Sequence, residues 1–211
     1  MQNVVIPLAI KNLAWKMFAI TLALKGPGYG VNNDHMPETK QQYVDRVATI
    51  STAIAIESAD HAPDWGWGID SMAWNTYTTA FHESGRFNVR VHDGRWRGDN
   101  GRSVCLGQIM SGGEELVGID MASTRRCVSE IMRILKMHKN RCLAKNAKES
   151  MWAVGRIYAG YMTGHSCDPK VKFVSGRMYT WNKVRKTKLP KGKMPAILSK
   201  KFFEITHDDS Q

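Results

Sequence analysis

Metal-ligand spacing is the first thing missing from this sequence. Its four cysteines, Cys105, Cys127, Cys142 and Cys167, form no Cys-x-x-Cys pair, and its seven histidines show no ligand-like pairing. No metal and no cofactor are expected. A long apolar run is missing too. Val4 to Leu24 is largely apolar, but Lys11 and Lys16 interrupt it short of the roughly 20 residues a membrane-spanning helix requires. Met1-Gln2-Asn3 brings no basic side chain ahead of it, which argues against a secretory signal. The expectation is an amphipathic helix packed on the main domain, with no transmembrane segment. Internal repeats are absent as well. Finally, residues 170–201 lack acidic side chains altogether while holding eleven Lys or Arg.

What is present fits one sizeable core. A chain of 211 residues with 43% hydrophobic content can bury a single large interior, so a one-domain monomer is expected. The net charge of +11 resides entirely in 170–201, because the remaining 19 Lys and Arg are matched by 19 Asp and Glu. A near-neutral body with a cationic stretch points to a polyanionic partner: nucleic acid, anionic lipid or the acidic polymers of a bacterial envelope.

Tyr43, Val47, Ile50 and Ile54 recur at helical spacing and predict a helix over about 39–57. Residues 61–68, with Pro63, Gly66 and Gly68, read as a loop. Asp70 reads as the cap of a second helix with Ala73, Trp74, Tyr77 and Phe81 on its buried face, ended by Gly85. Residues 88–104 are polar and glycine-punctuated; Val89 and Val91 give a hint of strand, and a short hairpin is considered there. Helical periodicity returns with Val128, Ile131, Ile134, Leu135 and His138. It returns again from Ser150 to Gly164 through Trp152, Val154, Ile157, Tyr158 and Tyr161. Arg177 to Lys186 reads as a last helix, and Pro190 and Pro195 argue for an extended tail beyond it. The class is mainly α, with residues 1–36 as an N-terminal helical extension, 37–169 as the main domain and 170–211 as a basic C-terminal tail.

The segment carrying chemistry is Phe81-His82-Glu83-Ser84-Gly85-Arg86-Phe87-Asn88, followed by Ser103-Val104-Cys105-Leu106-Gly107-Gln108-Ile109. Breaking a glycosidic bond needs a carboxylic acid that is still protonated near neutral pH. Glu83 closes a predicted helix, where the negative end of the dipole opposes a second negative charge. Trp74, Phe81 and Phe87 are expected to desolvate it, which also favours the neutral acid. Without its neighbours, Glu83 would read as a solvated residue at a frayed helix end.

Those neighbours matter. Glu83-Ser84-Gly85, then a glycine-bearing segment ending in Gln108, then Tyr161-Met162-Thr163-Gly164, resembles the lytic transglycosylase and goose-type lysozyme superfamily over about residues 70–168. The resemblance implies an α+β lysozyme-like fold and a peptidoglycan glycan strand as substrate. Glu83 is then the acid/base, and Gln108 lines the sugar cleft. Ser103 sits where a serine orients the substrate's N-acetyl group, and Tyr161 hydrogen-bonds near the acid. One departure is Cys105, which stands where the family's Gly-Leu-Met-Gln motif has glycine. Hydrolysis would need a second carboxylate, for which Asp99 and Asp93 are the candidates, although both also suit ordinary turns. A lytic transglycosylase dispenses with that base, since the substrate's own 6-hydroxyl closes an anhydro ring. This non-hydrolytic outcome is the favoured expectation for the bond between N-acetylmuramic acid and N-acetylglucosamine.

Sequential pairing of the cysteines, Cys105 with Cys127 and Cys142 with Cys167, would staple the proposed substrate loop and the last core helix. Four reduced thiols remain the alternative. Trp74 and Trp152 stand at helical spacing and read as core, whereas Trp65, Trp67 and Trp96 sit in loops and are candidate sugar platforms. Tyr179 and Trp181, interleaved with Arg and Lys, give the basic tail a nucleic-acid reading that ranks second to anionic envelope polymers. By family analogy, the expected setting is a bacteriophage virion or lysis protein acting at the host envelope. The rival expectation is a non-enzymatic phage structural or nucleic-acid-binding protein on a lysozyme-like fold.

Overall fold

A computed structural model describes residues 5–25, 38–110 and 113–208. They are mainly helical, with one two-stranded hairpin.

Helix α1 (Leu8–Lys25) is the expected amphipathic element. Leu13, Ala14, Met17 and Ile20 enter the main core, while Trp15 and Phe18 join a second cluster with Tyr43, Val47 and Leu198. Lys16, one of the interrupting charges, lies 4.5 Å over the Trp74 ring and donates to the Arg185 carbonyl at 3.3 Å. No helix among the described residues is long and apolar enough to cross a membrane.

Helix α2 (Lys40–Trp65) starts at a capping box. The Thr39 hydroxyl accepts from the Gln42 amide at 3.2 Å, and the Gln42 side chain accepts from the Thr39 amide at 2.8 Å. The helix extends well past the expected 39–57 and runs through Pro63, so the loop expected at 61–68 is confined to its last residues. Pro63 falls in the final turn, where it removes one backbone bond. Two anchors hold that turn: Trp65 is fully buried and donates to the Ser71 hydroxyl at 2.9 Å, and left-handed Gly66 closes onto the Ala62 carbonyl.

Helix α3 (Ile69–Glu83) is the axis of the molecule. Its N-cap is Gly68; Asp70, expected there, lies inside the first turn. Ala73, Trp74, Tyr77 and Phe81 are buried as expected, but so is every residue from Ser71 to Phe81. A helix buried on all sides needs neighbours on all sides, and α1, α2 and two later helices, α6 (Met121–Cys142) and α8 (Val174–Lys186), supply them.

Between α3 and α6 the chain makes short elements. Val89–His92 is a helical turn, α4, capped by the Asn88 side chain on the Arg90 amide at 3.0 Å, so the strand hint at Val89 and Val91 is overturned by a local cap. Gly98–Gly101, α5, is a single turn in which Asp99 and Asn100 are left-handed. The hairpin begins only after it: β1 (Ser103–Val104) pairs antiparallel with β2 (Ile109–Met110), with Ser103 opposite Met110 and Val104 opposite Ile109. A 3₁₀ turn (Glu114–Leu116) leads into α6, which Asp120 caps. Ser150 and Gly164 bound α7 (Met151–Thr163) as expected.

The C-terminal region is not an extended tail. Trp181, Val174 and Val184 of α8 are buried, and α9 (Ala196–Asp208) buries Leu198, Phe202 and Ile205 while packing on α2. Pro195 starts α9, its carbonyl accepting from the Leu198 amide at 3.0 Å. Both expected disulfides are present, Cys105–Cys127 tying the hairpin loop to α6 and Cys142–Cys167 tying the end of α6 to the segment after α7.

Candidate active site

Glu83 is the last residue of α3, and the turn after it is tightly fastened. Ser84 is fully buried, its hydroxyl donating back to the Ala80 carbonyl and accepting from the Phe87 amide at 2.8 Å. Gly85, Arg86 and Phe87 are all left-handed, with φ of 60°, 67° and 58°. Two non-glycine residues in that region are costly, and burial offsets the cost at Phe87. Its ring packs edge-on against Tyr77 and Phe81 at 5.4 Å, and its carbonyl accepts from Arg46 at 2.9 Å. The chain therefore turns sharply behind Glu83.

The nearest partner of Glu83 is a cation. Arg177, from α8, donates to Glu83 Oε1 at 2.5 Å, with the two side chains only 9% and 19% exposed. The apolar shell expected around Glu83 is arranged otherwise: Phe81 and Phe87 pack on Tyr77, and Trp74 stacks under Lys16. His82 accepts or donates at Thr180 Oγ1, 2.8 Å away, and is pushed down to about 4 by burial and then by the charges of Arg177 and Arg86. It is neutral at physiological pH.

The hairpin loop Cys105–Gln108 is held against α7 through Tyr161. Cys105 and Gln108 are left-handed, with φ of 57° and 47°, and the Gln108 amide closes the turn on the Cys105 carbonyl at 3.0 Å. Cys105 thus adopts a conformation that favours glycine, held there by its bond to Cys127. Gly107 is needed for a close approach, since a Cβ there would lie 2.5 Å from Ile131 and 2.9 Å from the Tyr161 hydroxyl. That hydroxyl donates to the Gly107 carbonyl at 2.9 Å. Burial, then the negative charge of Glu83, raise the Tyr161 phenol well above its ordinary range, so it stays a donor. Glu83, Arg177, Tyr161 and the Gly107 turn therefore form one constellation drawn from α3, α8, α7 and the hairpin.

The other expected residues sit around it. Ser103 is fully buried, and its hydroxyl donates to Asp99 Oδ2. Gln108 folds back toward α5: its amide nitrogen lies 3.4 Å from the Cys105 carbonyl, and a Cβ on Gly98 would come within 2.1 Å of its Oε1. Asp99, Ser103 and Gln108 thus pack as a second group along the hairpin. Asp93 does not join either group. It pairs with Arg95, accepting from the backbone amide at 3.0 Å, and lines a separate cavity of about 530 Å³ with Glu38, Arg46 and Lys200.

The tryptophans reverse part of their expected division. Trp65 is fully buried, and Trp67 packs against it at 5.3 Å while donating to the Ala147 carbonyl, so neither is an open platform. Trp152, expected in the core, is 57% exposed and stacks with Arg156; Trp96 is 55% exposed. Trp181 is core, which removes it from the nucleic-acid reading. Among the described residues no cluster of three or more His, Cys, Asp or Glu side chains is placed to hold a metal ion. Arg177 and His82 are the site residues that sequence reasoning missed; the only available signal for Arg177 was its place at the start of a predicted helix. Comparison with protein-family models, curated proteins and solved structures finds no match.

Proposed function

We propose that this chain is a peptidoglycan-cleaving glycosidase on a lysozyme-like fold, a lytic transglycosylase rather than a hydrolytic lysozyme. The observation that carries the reading is that Tyr161 hydrogen-bonds the Gly107 turn and lies within electrostatic reach of Glu83, linking three segments far apart in sequence. In this reading Glu83 gives its proton to the glycosidic oxygen as the C1–O bond breaks, and the substrate's N-acetyl oxygen bonds to C1. Glu83, now a carboxylate, takes the proton of the 6-hydroxyl as that oxygen displaces the N-acetyl oxygen and closes the 1,6-anhydro ring. Tyr161 fixes the loop that borders the sugar, and the Arg177–Glu83 ion pair must open for Glu83 to carry its proton and closes again once that proton has left.

A second reading, a non-enzymatic structural or nucleic-acid-binding protein, draws on the Arg177–Glu83 ion pair, the kind of bond a purely structural carboxylate makes. Mass spectrometry of sacculi digested by the purified protein separates the readings. Soluble fragments with 1,6-anhydromuramic ends support the transglycosylase. Reducing muramic ends move the enzyme to the lysozyme class and promote Asp99 to base, and no fragments at all favour the second reading.

A further inference from the structure

We propose that the exposed face of α8 and the segment following it is a docking surface for the anionic peptidoglycan strand, gripping the stem-peptide carboxylates of the polymer whose backbone is cut at Glu83. For the identity of that polymer it rests on the glycosidase reading. The folding of residues 170–201 sorts their cations into two kinds. Arg177 and Lys201 are buried and paired, with Glu83 and with Asp45 and Glu204. The other nine point outward, and among the described residues only Lys200 has a carboxylate within 4.0 Å, that of Glu204. The segment itself holds no acid to balance them.

Their placement ties them to the site. The first turns of α8 sit against the end of α3 through Arg177–Glu83 and Thr180–His82, and a Cβ on Gly176 would lie 3.8 Å from the His82 ring. On the outer side of the same helix, Tyr179 is 67% exposed, and Lys183 and Lys186 follow one and two turns further on. A 13-residue helix spans about 20 Å, so the stripe lies within that length of the Arg177–Glu83 contact, on the opposite side of the same helix.

Composition favours a carboxylate polymer over nucleic acid. Eight of the nine outward cations are lysines, point charges without the fork that reads phosphate bidentately. Trp181, the second aromatic that base stacking would use, is buried. Two disulfides suit an oxidising compartment, where peptidoglycan rather than nucleic acid is the abundant polyanion.

The test is sedimentation of the full chain with purified sacculi at about 0.1 M and about 1 M salt, between which the Debye length contracts from about 10 Å to about 3 Å. The comparison protein carries Lys183→Glu, Lys186→Glu and Lys191→Glu; the corresponding triple Lys→Gln variant is the second test should charge reversal disturb folding. Wild type is expected to pellet at low salt and to be released at high salt, with retention about tenfold weaker in the charge-reversed protein. Sacculi stripped of phosphate-bearing accessory polymers should still retain it. Retention that ignores the substitutions or the salt overturns the proposal. So does loss of binding on stripped sacculi, which reassigns the face to phosphodiester polymers, or tight binding to duplex DNA with none to sacculi. Salt-sensitive retention without released glycan would sink the glycosidase reading and leave the docking face standing.

Discussion

Arg177 and Glu83 stand 94 positions apart and meet at 2.5 Å, joining the end of the central helix to the first turn of α8. The pair is largely shielded from water, so its loss is felt more than that of a surface salt bridge. Arg177→Met should lower stability by roughly 1–3 kcal/mol, because it leaves a partly buried carboxylate without its partner. Arg177→Lys should recover part of that loss, keeping the charge without the fork. Thermal melts of the three proteins check this; a melt of Arg177→Met that overlays the wild type contradicts it.

The hairpin loop depends on a covalent tie. Cys105 holds a left-handed conformation within the 22-residue span closed by Cys105–Cys127. A loop of that size contributes about 3 kcal/mol in the chain-entropy model. Cys127→Ser should therefore lower the unfolding midpoint, and it should weaken glycan cleavage further than stability alone explains, since the Gly107 turn loses its anchor. Full activity in a variant that is less stable but still folded would show that the turn holds its shape without the bond.

Acid should destabilise the protein in a defined window. The unfolded His82 ring titrates near 6.5, whereas burial, then Arg177 and Arg86, push the folded ring down to about 4. Between those values the unfolded chain binds a proton that the folded chain refuses, so this contribution to stability is complete above 6.5 and is lost as pH falls toward 4. His92, fully buried and also pushed well below its ordinary value, acts in the same direction. The stability advantage of wild type over His82→Gln should shrink between pH 7 and pH 4.5. Chemical denaturation at both pH values measures it, and a constant difference contradicts the assignment.

Much of the helical framework is legible because its signals are local. Ser150 and Gly164 bound α7, and Gly85 closes α3, through caps that lie within a few residues of the ends they satisfy. What escapes is non-local. Proline at 63 and 195 reads as a breaker, yet one sits in a final turn anchored by Trp65 and the other starts a helix. Ala73, Trp74, Tyr77 and Phe81 read as one buried face, but α3 is enclosed on every side. At the candidate site, spacing and resemblance single out Glu83 and Tyr161. Arg177 is not singled out, because an ion pair across 94 residues leaves no mark in either local sequence.

The most direct test of the central claim is the clearing of purified sacculi by wild type and by Glu83→Gln, run beside thermal melts of both. General acid catalysis is worth about 10²–10⁴-fold, so the variant should lose cleavage by that factor while still folding cooperatively. Equal release of glycan fragments by the two proteins would contradict the account and leave Glu83 as a structural partner of Arg177.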